Sequence, residues 1–224
     1  MNWMAIWVTC KLATLTSLTL LIIGLPIAYW LTYSKWRWKF LIESIVALPL
    51  VLPPTVLGFY ILISIGPHSP IGRFYTDLVG HPLPFSFQGL LLASILYSLP
   101  FAVQPFATAF EQVDRKLIEA SCTLGLSKLK TFFRLILPLS TAGLITGVVL
   151  SFAHTLGEFG VVLMVGGNIE GITRTVSIEI YDEVQALNYA AAAKTSALLL
   201  LVSYTVLLLV YAMNRRVWSV WPQK

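Results

Sequence analysis

Residues 119–139 read EASCTLGLSKLKTFFRLILPL, a short polar segment that turns basic and then runs into an apolar one. Two lysines and an arginine lie between positions 128 and 134, and no further Lys, Arg, Asp or Glu follows before Glu158. A helix needs about 20 such uncharged residues to cross the hydrocarbon core of a bilayer. The stretch therefore predicts a helical turn at a membrane surface that leads directly into a membrane-spanning helix.

The composition of the whole chain is that of a membrane protein. Of its 224 residues 57% are hydrophobic and only 11% are charged, whereas a soluble domain carries roughly 25% charged residues. Because lipid offers the backbone no hydrogen-bond partners, each span must be helical. We therefore predict an all-α membrane protein, a single domain over residues 1–224. Five stretches of sufficient length lack Lys, Arg, Asp and Glu: Leu12–Tyr33, Ser44–Ile65, Gln88–Phe110, Leu135–Ala153 and Thr195–Met213.

Three features modify this pattern of spans. Residues 66–87, which contain four prolines, predict an irregular surface loop. Residues 159–168 are apolar but too short to span, so they predict a re-entrant or interfacial helix packed against the spans. Prolines inside the spans predict kinks, at Pro26, Pro49, Pro53, Pro54, Pro100, Pro105 and Pro138.

The cations predict the orientation of the chain in the cell membrane. Because cytoplasmic loops carry an excess of Lys and Arg, the cation-rich side is cytoplasmic. We therefore expect the N-terminus outside and the C-terminus inside, with Cys10 and Cys122 on opposite sides and not joined by a disulfide. Eleven of the fifteen cations lie on the side of the first short loop: Lys35, Arg37, Lys39, Arg115, Lys116, Lys128, Lys130, Arg134, Arg215, Arg216 and Lys224.

The loop at about residues 111–134 is predicted to form a helix-turn-helix. Gly125 stands where a left-handed helix cap is favoured, and Ser127 can cap a second helix. From the residues alone, a basic loop held to anionic lipid is the preferred interpretation. A DNA-binding helix-turn-helix fits poorly, because both ends enter the membrane within a few residues. Apolar and small side chains recur at helical spacing at Val113, Leu117, Ala120, Ser121 and Leu124.

The same loop resembles the cytoplasmic coupling loop of ABC importer permeases. Glu119-Ala120, Leu124-Gly125, Phe133 and Pro138-Leu139 match its motif in residue type and spacing, with Ser121 in place of the usual second alanine. The resemblance implies the type I ABC importer permease fold, in which this loop docks into a groove on a separate ATPase subunit and transmits its closure. It implies coupling roles for Glu119, Ala120, Ser121, Leu124, Gly125 and Phe133.

The resemblance extends over nearly the whole chain, to the molybdate and sulfate permeases of this family. Residues 47–66, ALPLVLPPTVLGFYILISIG, are similar to their second span, and residues 157–160, GEFG, occur in both groups. The segment from Asn168 to Thr175 is closer to the molybdate branch and makes Arg174 a candidate for docking the binding protein. Gate or pathway roles are implied for Pro49, Pro53, Gly157, Glu158, Phe159 and Gly160.

His154 and Glu158 suggest a function of another class. They lie four residues apart and face alike if the helix continues between them. Ionisable groups within a membrane are candidates for function, and a small multi-span membrane enzyme would use such a pair. A structural salt bridge or helix cap is the preferred interpretation, since no nucleophile, third metal ligand or phosphate-binding loop accompanies them. We therefore assign no catalytic and no metal-binding residue.

The resemblance implies a permease that carries molybdate, with tungstate as a further substrate and sulfate or thiosulfate as the alternative. It implies a homodimer with two ABC ATPase subunits and an external oxyanion-binding protein, embedded in lipid and independent of nucleic acid. The chain has no Walker A pattern, so ATP and magnesium are expected on the ATPase and no cofactor on this chain. No Lys or Arg lies at mid-depth of a span, so hydroxyls and backbone dipoles are expected to meet the ion and bind it weakly.

Overall fold

The computed structural model describes residues 2–213, which form a bundle of helices and contain no strand. Arg215, Arg216 and Lys224, on which part of the predicted orientation depends, lie outside the described residues. A 3-10 turn, Leu48–Leu50, follows α2, and a π-helical turn, Phe132–Ile136, follows α7. The helices are α1 (Trp3–Tyr33), α2 (Lys39–Ala47), α3 (Pro54–Ile65), α4 (Pro70–Val79), α5 (Phe87–Glu111), α6 (Arg115–Thr123), α7 (Lys128–Thr131), α8 (Leu137–Leu139), α9 (Thr141–Leu156), α10 (Gly160–Gly166), α11 (Val176–Gln185) and α12 (Tyr189–Met213).

Three of these helices, α1, α5 and α12, are each long and apolar enough to cross a membrane. The other two predicted spans are broken within the described part of the chain. Residues 39–50 and 54–65 meet at 113°, and residues 128–139 and 141–156 meet at 73°. The first break lies at Pro53, whose extended backbone precedes Pro54 at the start of α3. Counting each bent pair as one span gives the five predicted spans.

Two other predictions need correction. The first span begins at Trp3 and not at Leu12, because the Asn2 side chain caps α1 and Lys11 lies 4.3 Å from the centroid of the Phe87 ring. The predicted irregular loop 66–87 contains the helix α4. Ser69 caps its N-terminus by accepting a hydrogen bond from Gly72 N, and Gly80 (φ 84°) ends it in the left-handed conformation.

The core of the bundle lies between α1, α5 and α9. Leu12 packs with Leu90, and further along both helices Gly24 approaches Val103, so α1 and α5 run parallel. Phe106 of α5 is completely buried against α9, where a β-carbon on Gly147 would lie 2.5 Å from its ring. The absence of a side chain at Gly147 therefore lets α9 approach α5 closely.

The apolar segment 159–168 forms the seven-residue helix α10, which is too short to cross a membrane. Val161, Val162 and Val165 are completely buried, and α10 packs against α3 and α5. This agrees with the predicted short helix held against the spans. Within the Gly157–Gly160 segment that precedes α10, Glu158 is buried, Phe159 and Gly160 are partly buried, and Gly157 is exposed.

Candidate functional site

The predicted helix-turn-helix is present as α6 and α7. Asp114 caps α6 by accepting a hydrogen bond from Lys116 N at 2.9 Å. Gly125 has φ 81°, and Leu126 N donates to Ser121 O at 3.1 Å while Gly125 N donates to Cys122 O at 2.9 Å. This pair of bonds is a Schellman cap, which requires the left-handed residue at Gly125. Ser127 caps α7 as predicted, accepting a hydrogen bond from Lys130 N.

One part of the predicted amphipathic pattern is wrong. Val113 precedes α6, and Leu117 and Leu124 are 47% and 83% exposed. The buried side of α6 is formed by Ser121, whose hydroxyl donates to Ile118 O at 2.7 Å and lies 3.0 Å from the Thr131 hydroxyl. That contact joins α6 to α7 and makes the turn a compact unit.

The turn leaves apolar side chains exposed. Glu119 and Ala120 are exposed as well, so of the six residues predicted to couple, only Ser121 is buried. We call the four large exposed side chains the coupling patch: Leu117 (47%), Leu124 (83%), Leu129 (69%) and Phe133 (57%).

The predicted gate residues fall into two segments that meet. Pro49 lies in the 3-10 turn after α2 and Pro53 lies at the 113° break. Gly160 begins α10, and a β-carbon there would lie 2.7 Å from Pro54 Cβ. The break in the second predicted span is therefore packed against the start of the short helix.

His154 and Glu158 do not form the predicted pair. The helix α9 ends at Leu156 with Gly157 as its cap, so the two side chains do not share a helical face, and no salt bridge joins them. His154 Nδ1 lies 2.9 Å from Ser98 Oγ, and its ring stacks on Phe101 with centroids 3.9 Å apart.

The side chain of Glu158 is buried, and its carboxyl oxygens lack a well-formed hydrogen bond to any described residue. It is 4% exposed and faces Ser94, but neither side chain makes a hydrogen bond of proper distance and angle to any other described residue. Across residues 2–213 no group of three or more His, Cys, Asp or Glu side chains converges on a possible metal position. The geometry thus offers neither a paired acid and base nor a ligand cluster.

Arg174 is engaged by its own loop. Its Nε donates to Asn168 Oδ1 at 2.6 Å, and its guanidinium lies 3.9 Å from both Glu170 and Asp182. Asn168 Nδ2 also donates to Asp182 at 2.6 Å. These contacts hold the segment after α10 against α11, and the Arg174 side chain remains 27% exposed.

A polar groove between α5 and α9 was not predicted from the sequence. It has a volume of about 450 Å³, and the polar side chains that line it from α5 and its C-cap are Gln104, Thr108 and Gln112, with Pro105 and Ala109 between them. Gln104 and Thr108 lie four residues apart within the predicted span Gln88–Phe110, and Gln112 follows at the same spacing just beyond it. This spacing could have revealed the groove, since such residues share one helical face. We call it the α5–α9 groove.

The chain was compared with known proteins. A model of the family described as "Binding-protein-dependent transport system inner membrane component" matches residues 21–219. The chain is 50% identical to the molybdenum transport system permease protein ModB of Azotobacter vinelandii over 94% of its length and 93% of the relative's. It is 39% identical to ModB of Escherichia coli strain K12 over 82% of this chain and 80% of that one. A probable sulfate transport system permease protein of Chlorella vulgaris is 34% identical over 91% and 76%.

The fold agrees with these matches. A chain from inward-facing structures of the MetNI methionine ABC transporter superposes with a TM-score of 0.73, covering 95% of this chain and 94% of the other, at 17% identity. At 17% identity this match supports only a common fold. That fold is the type I importer permease fold, as predicted from the sequence. The chain belongs to the family of binding-protein-dependent transport system inner membrane components, the permeases of ABC importers, and within it to the group that contains the molybdenum transport system permease proteins.

Proposed function

We propose that this chain is the membrane-spanning subunit of an ATP-driven importer that carries molybdate, and also tungstate, across the cell membrane. The observation that carries the proposal is the 50% identity with the Azotobacter vinelandii molybdenum permease, against 34% with the Chlorella vulgaris sulfate relative. Molybdate, tungstate and sulfate are all tetrahedral dianions, so a permease of weak affinity distinguishes them poorly. Selectivity therefore belongs mainly to the external binding protein, where buried donors reject the wrong ion.

The proposed assembly is a homodimer with two ABC ATPase subunits and an external oxyanion-binding protein. The family description, which names binding-protein-dependent transport, supports the external partner. A second copy is supported by the α5–α9 groove, because exposed Gln and Thr side chains on a spanning helix must face water or protein. This chain binds no cofactor, and ATP with magnesium binds the ATPase subunits.

The coupling patch is the proposed contact with the ATPase. Exposed apolar side chains in a soluble loop are typical of an interaction site. The Ser121–Thr131 contact and the Gly125 cap make α6 and α7 one rigid body, which is what a lever must be to transmit motion. Glu119 of α6 is also exposed and available to a partner.

The proposed orientation has the N-terminus outside and the coupling turn in the cytoplasm. Lys35 and Lys39 in the segment after α1 line one pocket together with Arg115 of α6, and the positive-inside rule favours the cytoplasm for such a group of cations. Trp36 and Trp38 are about half exposed in that segment, consistent with a membrane interface. The loop with Arg174 then faces outward, toward the binding protein.

The test is uptake by cells that lack this chain and by proteoliposomes that contain the complete transporter. We expect the cells to lose high-affinity molybdate uptake and to retain sulfate uptake. In proteoliposomes, molybdate uptake is expected to require ATP and the binding protein. Loss of sulfate uptake with normal molybdate uptake would remove the molybdate assignment and leave the importer fold in place.

A further inference from the structure

The wall of the α5–α9 groove is a polar stripe along a spanning helix. Gln104, Thr108 and Gln112 recur every four residues, so they share one face of α5. All three are exposed, and none of their side chains makes a hydrogen bond among residues 2–213. Toward the other end of α5, beyond the polar stripe, lies Phe101, whose ring stacks on His154.

Such a stripe is unfavourable against lipid. The amide and hydroxyl groups would have no hydrogen-bond partner in hydrocarbon, and unsatisfied polar groups are costly there. Polar side chains in membrane helices accordingly face the interior of a bundle or a water-filled cavity. The α5–α9 groove therefore faces an aqueous passage or another protein surface in the assembled transporter.

The floor of the groove is formed by close backbone approach. A β-carbon on Gly143 of α9 would collide with the Ala109 side chain of α5, so only the Ala109 methyl group separates the two helices at this point. Ser140 Oγ donates to Ala109 O at 3.2 Å and is already satisfied. Gln104, Thr108 and Gln112 thus remain as the free donors of the groove.

The chemistry of these donors suits an oxyanion that must leave again. Amide N–H and hydroxyl groups donate hydrogen bonds to anionic oxygens, and a tetrahedral dianion presents four of them. None of the residues that line the groove is Lys, Arg, Asp or Glu. The groove therefore contains no fixed cation to trap a dianion and no carboxylate to repel it, as conduction requires.

Resting on the proposed function, we propose that Gln104, Thr108 and Gln112 line the cytoplasmic half of the transport pathway and form a low-affinity site for a tetrahedral dianion. Gln112 lies at the end of α5 that leads into the coupling helix α6, which places the stripe on that side. The groove of each copy supplies one wall of the passage. Neutral hydrogen-bond donors on α5, in place of charged side chains, guide the ion.

The first test is cysteine accessibility in the complete transporter with its ATPase and binding protein. In a background with Cys10→Ser and Cys122→Ser, cysteine is placed at 104, 108 or 112 and treated with an anionic methanethiosulfonate reagent. Leu96→Cys is the matched control, since Leu96 lies on α5, is 41% exposed and is not part of the groove. We expect labelling at the three groove positions, slowed severalfold by molybdate but not by chloride, and little labelling at position 96.

Uptake by the same transporter separates this inference from the proposed function. Absence of oxyanion uptake by the unsubstituted transporter overturns both. Normal uptake with groove cysteines that are unreactive, or that molybdate does not protect, overturns only the placement of the pathway and assigns the groove to a protein contact.

A second test removes the hydroxyl donor of Thr108 while keeping the shape of its side chain nearly unchanged. Thr108→Val is close to isosteric and loses only the hydroxyl, whereas Thr108→Ser retains it. We expect Val to lower the maximal rate of molybdate uptake severalfold and Ser to keep it near the original value, with the affinity of the binding protein for molybdate unchanged. Equal rates for the Val and Ser variants would overturn the role of the hydroxyl.

Discussion

Gly160 of α10 packs directly against Pro54 of α3, because a β-carbon at position 160 would lie 2.7 Å from Pro54 Cβ. Both residues begin a helix next to an irregular segment, one after the GEFG sequence and the other after the 113° break. The contact joins two segments that are more than 100 positions apart in the chain. Movement of either break must therefore move the other.

Gly160→Ala is expected to destabilise this contact. The added methyl group meets a rigid proline ring, and overpacking of this kind costs about 1–3 kcal/mol. We expect a lower thermal unfolding temperature for the purified transporter and reduced molybdate uptake. Gly157→Ala is the matched control for the unfolding temperature, since its β-carbon has only one neighbour, at 3.9 Å, and its φ of −92° suits alanine. Equal losses for the two variants would show that close packing at Gly160 is not the cause.

Gly125→Val is expected to weaken the coupling of the permease to the ATPase. No atom lies within 4 Å of the added β-carbon, so the effect comes from the left-handed backbone alone, at about 1–2 kcal/mol. We expect normal membrane insertion but weaker association with the ATPase and reduced uptake. Gly125→Asn is the control, because asparagine tolerates the left-handed region. Uptake by the Val variant equal to that of the Asn variant would refute the coupling role.

Leu124→Ser is expected to weaken ATPase association without unfolding the permease. Leu124 is 83% exposed, and substitutions at such positions usually change stability by less than about 0.5 kcal/mol. Co-purification of the ATPase with the permease, compared at equal expression, measures the effect. Leu78→Ser is the control, since Leu78 is 73% exposed on α4 and lies outside the coupling patch. Full co-purification with the Leu124 variant would remove the patch as a docking surface.

Local signals predicted much of this fold. The uncharged stretch Gln88–Phe110 gave α5 to within one residue at each end, and Gly125 and Ser127 gave both caps of the coupling turn. The residues that mark the ends of α4 were overlooked, because the composition of the surrounding segment favoured a loop. Ser69, Pro70 and Gly80 mark the ends of α4, yet the prolines around them suggested an irregular loop.

Tertiary contacts determined what the sequence could not predict. The helix α10 packs against α3 beside the 113° break at Pro53, a contact that the sequence does not reveal, and a proline alone indicates a kink without its angle. His154 and Glu158 would share a helical face only in a continuous helix, and that condition is not met because Gly157 ends α9. The docking and gate roles of the candidate residues stay predictions.

The predicted orientation can be tested with the two native cysteines, both of which are exposed. A membrane-impermeant maleimide is expected to reach Cys122 of α6 only after permeabilisation. Any labelling of Cys10 in intact cells is expected from the outside. Cys122→Ser provides the background for assigning the signal. Labelling of Cys122 in intact cells would reverse the proposed topology.

Arg174→Ala is expected to lower molybdate uptake without changing the preference between molybdate and sulfate. Arg174 holds Asn168, Glu170 and Asp182, so its loss loosens the outer segment that is proposed to receive the binding protein. Partly exposed ion pairs contribute roughly 0–1 kcal/mol each, so the thermal unfolding temperature should change little.

The control for this variant is Arg73→Ala, because Arg73 is exposed on α4 and makes no ion pair among residues 2–213. Uptake is measured with each ion separately, at a saturating concentration of the binding protein and again at a limiting one. A defect that is larger at the limiting concentration indicates weaker docking of that protein. A changed ratio of molybdate to sulfate uptake would instead place Arg174 in contact with the ion. Equal uptake by the Arg174 and Arg73 variants would show that the contacts of Arg174 have no consequence for transport. Arg174 would then be a solvated loop cation without a docking role.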